Sequence, residues 1–273
     1  MTQRNLTSIW KAFLIGATMI VPGVSGGTMA MILGIYDRLI SAVSSFRKHP
    51  RDNFLFLILF TIFAGLGVFL FSTPVSWLLE HYEIPTLYFF IGTVAGGIPL
   101  IEQKSGMKKV DFVTVLYLLA GALVVVLISK FPQDFIGHMK IDGISHWTKL
   151  GIAGMVLAMA LILPGVSFSH FLLILGLYEK TLTAVKTLDF SFLIPLAIGV
   201  FLGIIIFSKL LAYVLEKYPK GSYLLILGFI IGSVAMIFPG VPKGGEIVLS
   251  MITAPIGFWL IYHNISLAEK NNS

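Results

Sequence analysis

Two short islands interrupt an otherwise apolar chain: Pro22-Gly-Val-Ser-Gly-Gly-Thr and Pro164-Gly-Val-Ser-Phe-Ser-His. Proline removes a backbone donor and glycine opens dihedrals closed to other residues, so each island must break a helix. The half-helices that resume near Ser25 to Thr28 and Ser167 to His170 begin with free N–H groups and a partial positive charge of roughly 0.5. The hydroxyls of Ser25, Thr28, Ser167 and Ser169 add donors, and Gly26 and Gly27 allow close backbone approach. Donors gathered without a fixed carboxylate suit an oxyanion such as phosphate. The competing reading is that these small residues only let helices pack closely.

Four further residues bear on the same chemistry. Arg38 and Lys180 lie 13 residues after Ser25 and Ser167, at the mouth of each break. They could receive a headgroup there, or snorkel to the interface beside Asp37 and Glu179. Lys209 stands inside a long apolar helix where the matching position is Thr73, and an intramembrane charge is a functional candidate unless Glu80 or Glu216 pairs with it. His170 replaces Thr28 in the second island and could titrate near neutral pH, or serve as a packed, hydrogen-bonded histidine. There is no cysteine, metal-ligand spacing, Walker loop or serine nucleophile elbow. No catalytic residue, metal or cofactor is therefore expected.

The elements that must position these residues are helices in a bilayer. Of 273 residues 57% are hydrophobic and 12% charged, with a mean hydropathy of +0.94. That excludes a water-soluble globule. The charge of +6 sits in short loops, which points to topology and anionic lipids rather than nucleic acid. A cleavable signal peptide is not expected, because no small-residue cleavage site follows the first apolar run.

An internal repeat organises the chain. At an offset of 142 residues, 10 of 22 positions from Pro22 and Pro164 onward are identical, including Ile32-Leu-Gly34 with Ile174-Leu-Gly176 and Tyr36 with Tyr178. At an offset of 136, Gly67, Leu79-Glu80, Tyr82, Gly92 and Gly96 match Gly203, Leu215-Glu216, Tyr218, Gly228 and Gly232. Matching Pro, Glu and Tyr in order indicates duplication. The first repeat is assigned to residues 1–128, with a hairpin at 10–45 and helices at 54–79, 86–101 and 111–128. A linker follows at 129–150. The second repeat, 151–273, has a hairpin at 151–185 and helices at 190–215, 222–238 and 247–262.

Only 12 residues run from Trp10 to Val21, about 18 Å of helix and too short for a core of roughly 30 Å. The first segment is thus either a re-entrant hairpin or a broken spanning helix. With re-entrant hairpins, basic residues divide 12 inside to 6 outside; with broken spanning helices the division is 10 to 8. The stronger asymmetry favours hairpins. The expected fold is an all-α polytopic membrane protein of two inverted-topology repeats, each a re-entrant helical hairpin plus three transmembrane helices, with both termini cytoplasmic.

The paired Pro-Gly-Val-Ser islands, each followed by Leu-Gly-x-Tyr, resemble the polyprenyl-phosphate transporter family over essentially the whole chain. The resemblance implies a flippase moving undecaprenyl phosphate across the bacterial cytoplasmic membrane for carrier-lipid recycling. It also implies a headgroup site of Ser25, Gly26, Gly27, Thr28, Ser167 and Ser169. Phe168 and His170 depart from the first island's Gly26 and Thr28, which breaks the symmetry of the half-sites. The alternatives are a secondary transporter of a small soluble anion and an undecaprenyl-pyrophosphate phosphatase-like enzyme. The phosphatases carry arginine just after the motif serine, where Gly26 and Phe168 stand here, and phosphoryl chemistry without such a clamp lacks its electrostatic parts. The implied partners are a polyprenyl phosphate and membrane lipids, with no nucleic acid; a homo-oligomer is compatible with the sequence.

Overall fold

The computed structural model describes residues 3–21, 24–107, 109–130 and 145–270. Among these, the regular structure is helical. The first half holds α1 (Gln3–Thr18), α2 (Gly26–Ile32), α3 (Tyr36–Ser44), α4 (Pro50–His81), α5 (Glu83–Ser105) and α6 (Phe112–Ser129), with a 3₁₀ turn at Phe46–Lys48. The second holds α7 (Ser145–Ile162), α8 (Phe168–Ile174), α9 (Tyr178–Thr187), α10 (Phe190–Lys217), α11 (Pro219–Ile237) and α12 (Gly245–Lys270). Six of them, α4, α5, α6, α10, α11 and α12, are long and apolar enough to cross a membrane by length and composition.

The two halves share local devices. The α4–α5 and α10–α11 connections each consist of one non-helical residue, Tyr82 or Tyr218. Thr86 and Ser222 then turn back to donate to the carbonyls of Leu78 and Val214 at 3.4 and 3.1 Å. Asp111 caps α6 by accepting from the Thr114 N–H at 2.7 Å and hydroxyl at 2.6 Å. Those bonds hold its carboxyl below the usual range, with Lys220 adding to the effect. The linker expected at 129–150 falls largely outside the described residues, and α7 already begins at Ser145 rather than 151.

α5 and α11 lie side by side at the centre, with 56% of each apolar window buried against 6 to 28% in the other four spans. Each then packs against the last helix of the opposite half, α5 on α12 and α11 on α6. α1 packs on α4, and α7 on α10. The repeat glycines sit at these crossings. A Cβ added at Gly92 would meet Ala254 O of α12 at 2.0 Å, and one at Gly228 would meet Leu118 O of α6 at 2.4 Å. Small residues let backbones approach where no hydrophobic force drives helices together.

Interactions between distant segments define the two ends. At one end, Arg38 donates to Asn53 at 2.9 Å, Lys104 to Asp37, and Lys220 pairs with Asp111 at 3.5 Å. At the other, Tyr88 donates to Gly240 O at 3.1 Å and Thr253 to Pro85 O at 2.8 Å.

Candidate functional site

Both islands end in the same helix-stopping device. Gly34 and Gly176 adopt positive φ, +69° and +65°. Their N–H groups donate to Met31 O and Leu173 O at 3.0 Å each, while Ile35 and Leu177 donate to Ala30 O and Leu172 O at 2.9 Å. This is the Schellman pattern, and it accounts for the repeated Leu-Gly. It also sets the chain direction into α3 and α9, where Tyr36 and Tyr178 begin each helix.

The first island is buried and internally satisfied. Ser25 is the N-cap of α2, its Oγ accepting from Thr28 N–H at 3.1 Å. Thr28, 2% exposed, accepts through Oγ1 from the Gly165 N–H at 2.7 Å. That bond joins the two islands. Around it, Gly27 faces the backbone of Leu163 and Pro164 closely enough that an added Cβ would sit 3.3 Å from Pro164 N. Gly26 lies beside the Met19 side chain. Tyr36, buried at the head of α3, donates to Ile162 O at 2.7 Å. Burial, and then the nearby Asp37 and Tyr223, push its phenol well above the usual range, so it stays a donor. Pro22 and Gly23 lie outside the described residues.

The second island is more open. Ser167 is the N-cap of α8 but makes no cap bond. Its Oγ instead lies 3.0 Å from Ser169 Oγ in an exposed pair. His170 Nε2 makes a long contact, 3.4 Å, with Ile128 O. Gly165, Ser167 and His170 line a crevice completed by Val125, Ile128, Ser129, Val166, Ser233 and Met236. Its cavity of about 20 Å³ has room for about one water and not for a phosphate. The two islands therefore differ: the hydroxyls of Ser25 and Thr28 are engaged in buried bonds, and those of Ser167 and Ser169 meet each other in an exposed pair.

The remaining sequence candidates are not gathered at this junction. Arg38 donates to Asn53 and lies over the Phe56 ring at 4.8 Å, not against Asp37. Lys180 is exposed on α9 beside an open cleft shared with Glu179, Thr183 and Asp189. Lys209 is exposed on α10 and pairs with neither Glu80 nor Glu216. The sequence reading passed over Lys11, Lys104 and Tyr223. Asp37 accepts from both Lys104 and the Tyr223 hydroxyl, the latter at 3.0 Å. Each of these ends or begins an apolar segment, where a charge or phenol reads as ordinary interfacial anchoring. Among the described residues no group of three or more His, Cys, Asp or Glu could hold a metal ion.

Comparison with known proteins bears on this arrangement. No solved structure matches the chain. A polyprenyl-phosphate transporter of Staphylococcus aureus (strain NCTC 8325 / PS 47) is 34% identical over 274 residues, covering 94% of this chain and 95% of the relative. A polyprenyl-phosphate transporter of Vibrio cholerae serotype O1 (strain ATCC 39315 / El Tor Inaba N16961) is 30% identical over 256 residues, covering 87% of this chain and 79% of the relative. The family model for VCA0040-like, undecaprenyl phosphate translocase-like proteins matches residues 15–250, a span that takes in both islands and five of the six apolar spans in full. With its duplicated Pro-Gly-Val-Ser islands and six apolar spans, the chain belongs to the VCA0040-like, undecaprenyl phosphate translocase-like family.

Proposed function

We propose that this protein is a flippase that moves undecaprenyl phosphate, or a related polyprenyl phosphate, across the bacterial cytoplasmic membrane. The headgroup passes between the tips of two re-entrant hairpins, α1–α2 and α7–α8. The observation that carries the reading is the direct bond between the islands, Gly165 N–H to Thr28 Oγ1 at 2.7 Å. Two sequence-distant breaks in apolar helices meet where irregular backbone needs protein or water around it. The names of the two relatives supply the substrate class. A phosphate dianion faces tens of kcal/mol in bare hydrocarbon, while an isoprenoid tail can remain in lipid, so only the headgroup needs a polar path.

The halves are read as inverted repeats. Asn53, near the start of α4, and Lys220, just beyond the end of α10, are tied to residues of the same end, which supports opposite directions for these matched helices. That end is assigned to the cytoplasm, with both termini, because it carries the greater share of basic loops. The headgroup would bind Ser25, Gly26, Gly27, Thr28, Ser167, Ser169 and His170 in turn as the half-sites exchange exposure. Arg38, Lys180 and Lys209 would serve approach from the surface. A catalytic role is not part of this reading, since neither island carries a carboxylate or arginine.

Vesicles holding labelled undecaprenyl phosphate provide the test. The reconstituted protein should accelerate transbilayer movement, and Ser25→Ala combined with Ser167→Ala should slow it roughly tenfold, the scale of one lost charge-assisted hydrogen bond. Unchanged movement in either comparison overturns the proposal. Release of inorganic phosphate from the pyrophosphate form would favour an enzyme instead, and competition by a soluble anion that is itself carried would favour a solute transporter.

A further inference from the structure

We propose that Lys11 and Lys104 form an anion site for a phosphate group at the α3 end of the molecule, guarded by Asp37, which the phosphate displaces from Lys104. The inference deepens the transport reading by adding a station for the headgroup at the bundle's edge.

Lys11 projects from α1 and is half-buried, yet among the described residues its ammonium has no hydrogen bond or ion pair. A desolvated ammonium without a counter-ion is costly and marks a place that an anion would stabilise. Burial lowers its pKa, and Lys104 lies close enough to lower it further. The Lys104 side chain is 22% exposed and donates to Asp37 Oδ2. Asp37 Oδ1 accepts from Tyr223 at 3.0 Å, and Lys104 lies 5.7 Å from the centre of that ring. Of the two ammoniums, only that of Lys104 is paired with the carboxylate.

Access follows from the α2–α3 turn. Gly34 is exposed, and a Cβ there would stand 3.9 Å from Lys11 Nζ and 3.3 Å from Leu100 Cδ2. Glycine therefore leaves the path to the ammonium uncovered. A phosphate monoester dianion would balance both lysines, where Asp37 balances one, and it offers several acceptor oxygens. Arg38, the next residue after Asp37, is held by Asn53, and Tyr36 by Ile162, so neither competes for the ligand. The matching second-half positions do not reproduce the cluster: Lys104 and Tyr223 correspond to Gly240 and Leu87 at the offset of 136. The site belongs to one end only.

The test is calorimetric titration of the full-length protein in detergent with geranyl phosphate and, separately, inorganic phosphate. Lys11→Gln should weaken binding roughly tenfold, and Lys11→Arg should restore most of it. Asp37→Asn should tighten binding, because it frees Lys104. Lys48→Gln, an exposed charge at the same end, should leave affinity unchanged. Opposite shifts for Lys11→Gln and Asp37→Asn are the signature that a merely structural role would not produce. If both leave affinity within about twofold, or both weaken it, the site is refuted. The same pattern with inorganic phosphate identifies free phosphate as a sufficient ligand; the pattern with geranyl phosphate alone identifies a lipid headgroup; either supports the site. Should this pattern hold while wild-type vesicles move no undecaprenyl phosphate, the transport reading falls and the site stands. Should movement depend on Ser25 and Ser167 while Lys11→Gln and Asp37→Asn change nothing, this inference falls alone.

Discussion

The Tyr36 phenol spans 126 residues of sequence to donate to the Ile162 carbonyl, two residues before the second island begins. Together with Thr28 and Gly165, it makes the junction of the islands a hydrogen-bonded contact rather than simple apposition. Tyr36→Phe keeps the ring and removes the donor, leaving a buried carbonyl unpaired. It should destabilise the protein by about 1–3 kcal/mol, read as a lowered unfolding midpoint in detergent, and should loosen the tie between the start of α3 and the end of α7. An unchanged midpoint would mean that water satisfies Ile162. The neighbouring serines teach a related lesson. Ser25 and Ser167 occupy the same repeat position, yet one caps its helix through a backbone N–H and the other turns to Ser169.

At the scale of elements, each break is an assembly of a helix end, an island and a short helix of seven residues. Isolated helices this short have little stability of their own, so their caps and surroundings must hold them. Gly165 is the position where the backbone leaves no alternative. It has φ +81°, and an added Cβ would sit 2.5 Å from Phe229 O. Gly240 also has positive φ, +88°, with nothing within 4 Å of an added Cβ. Gly240→Ala should therefore cost about 1 kcal/mol, the left-handed penalty alone, whereas Gly165→Ala should cost at least about 2 kcal/mol more through overlap in a close-packed interior. Comparing the two unfolding midpoints isolates the steric part. Equal midpoints would show that α11 moves aside at little cost.

Across the whole molecule, the last helix of each half is spent on the other half. α12 packs on α5 and α6 on α11, so each half alone leaves the facing sides of its last two helices uncovered. A chain cut in the connection between α6 and α7, with both fragments expressed together, should reassemble and copurify, while either fragment alone should be degraded or aggregate. Tagged-fragment pulldown from detergent extracts checks this, and stable, monomeric single fragments would contradict it. The two ends also differ. α3 packs on α10 and is tied through Asp37 to Lys104 and Tyr223, whereas α9 packs on its neighbours α8 and α10 and leaves an open cleft beside Lys180.

An all-helical chain with six apolar runs of bilayer length was legible in the sequence, because such a run has few other ways to satisfy its backbone. The helix expected at 190–215 is Phe190–Lys217 and that at 222–238 is Pro219–Ile237, while the last, expected at 247–262, runs Gly245–Lys270. The second half-helices were also legible, since Ser25 and Ser167 precede α2 and α8 as N-caps. A site drawing on both islands was implied by the family resemblance, but the form of their contact was not: that Thr28 accepts from Gly165 while Ser167 makes no cap bond depends on how two similar helix breaks are seated against different neighbours. Nor could sequence join Lys11, Asp37, Lys104 and Tyr223, which lie on four helices and each read alone as an interfacial anchor. Hydropathy is a property of consecutive residues and survives any arrangement of the helices, whereas charge pairing and donor satisfaction depend on distances of a few ångströms that only the packed bundle sets.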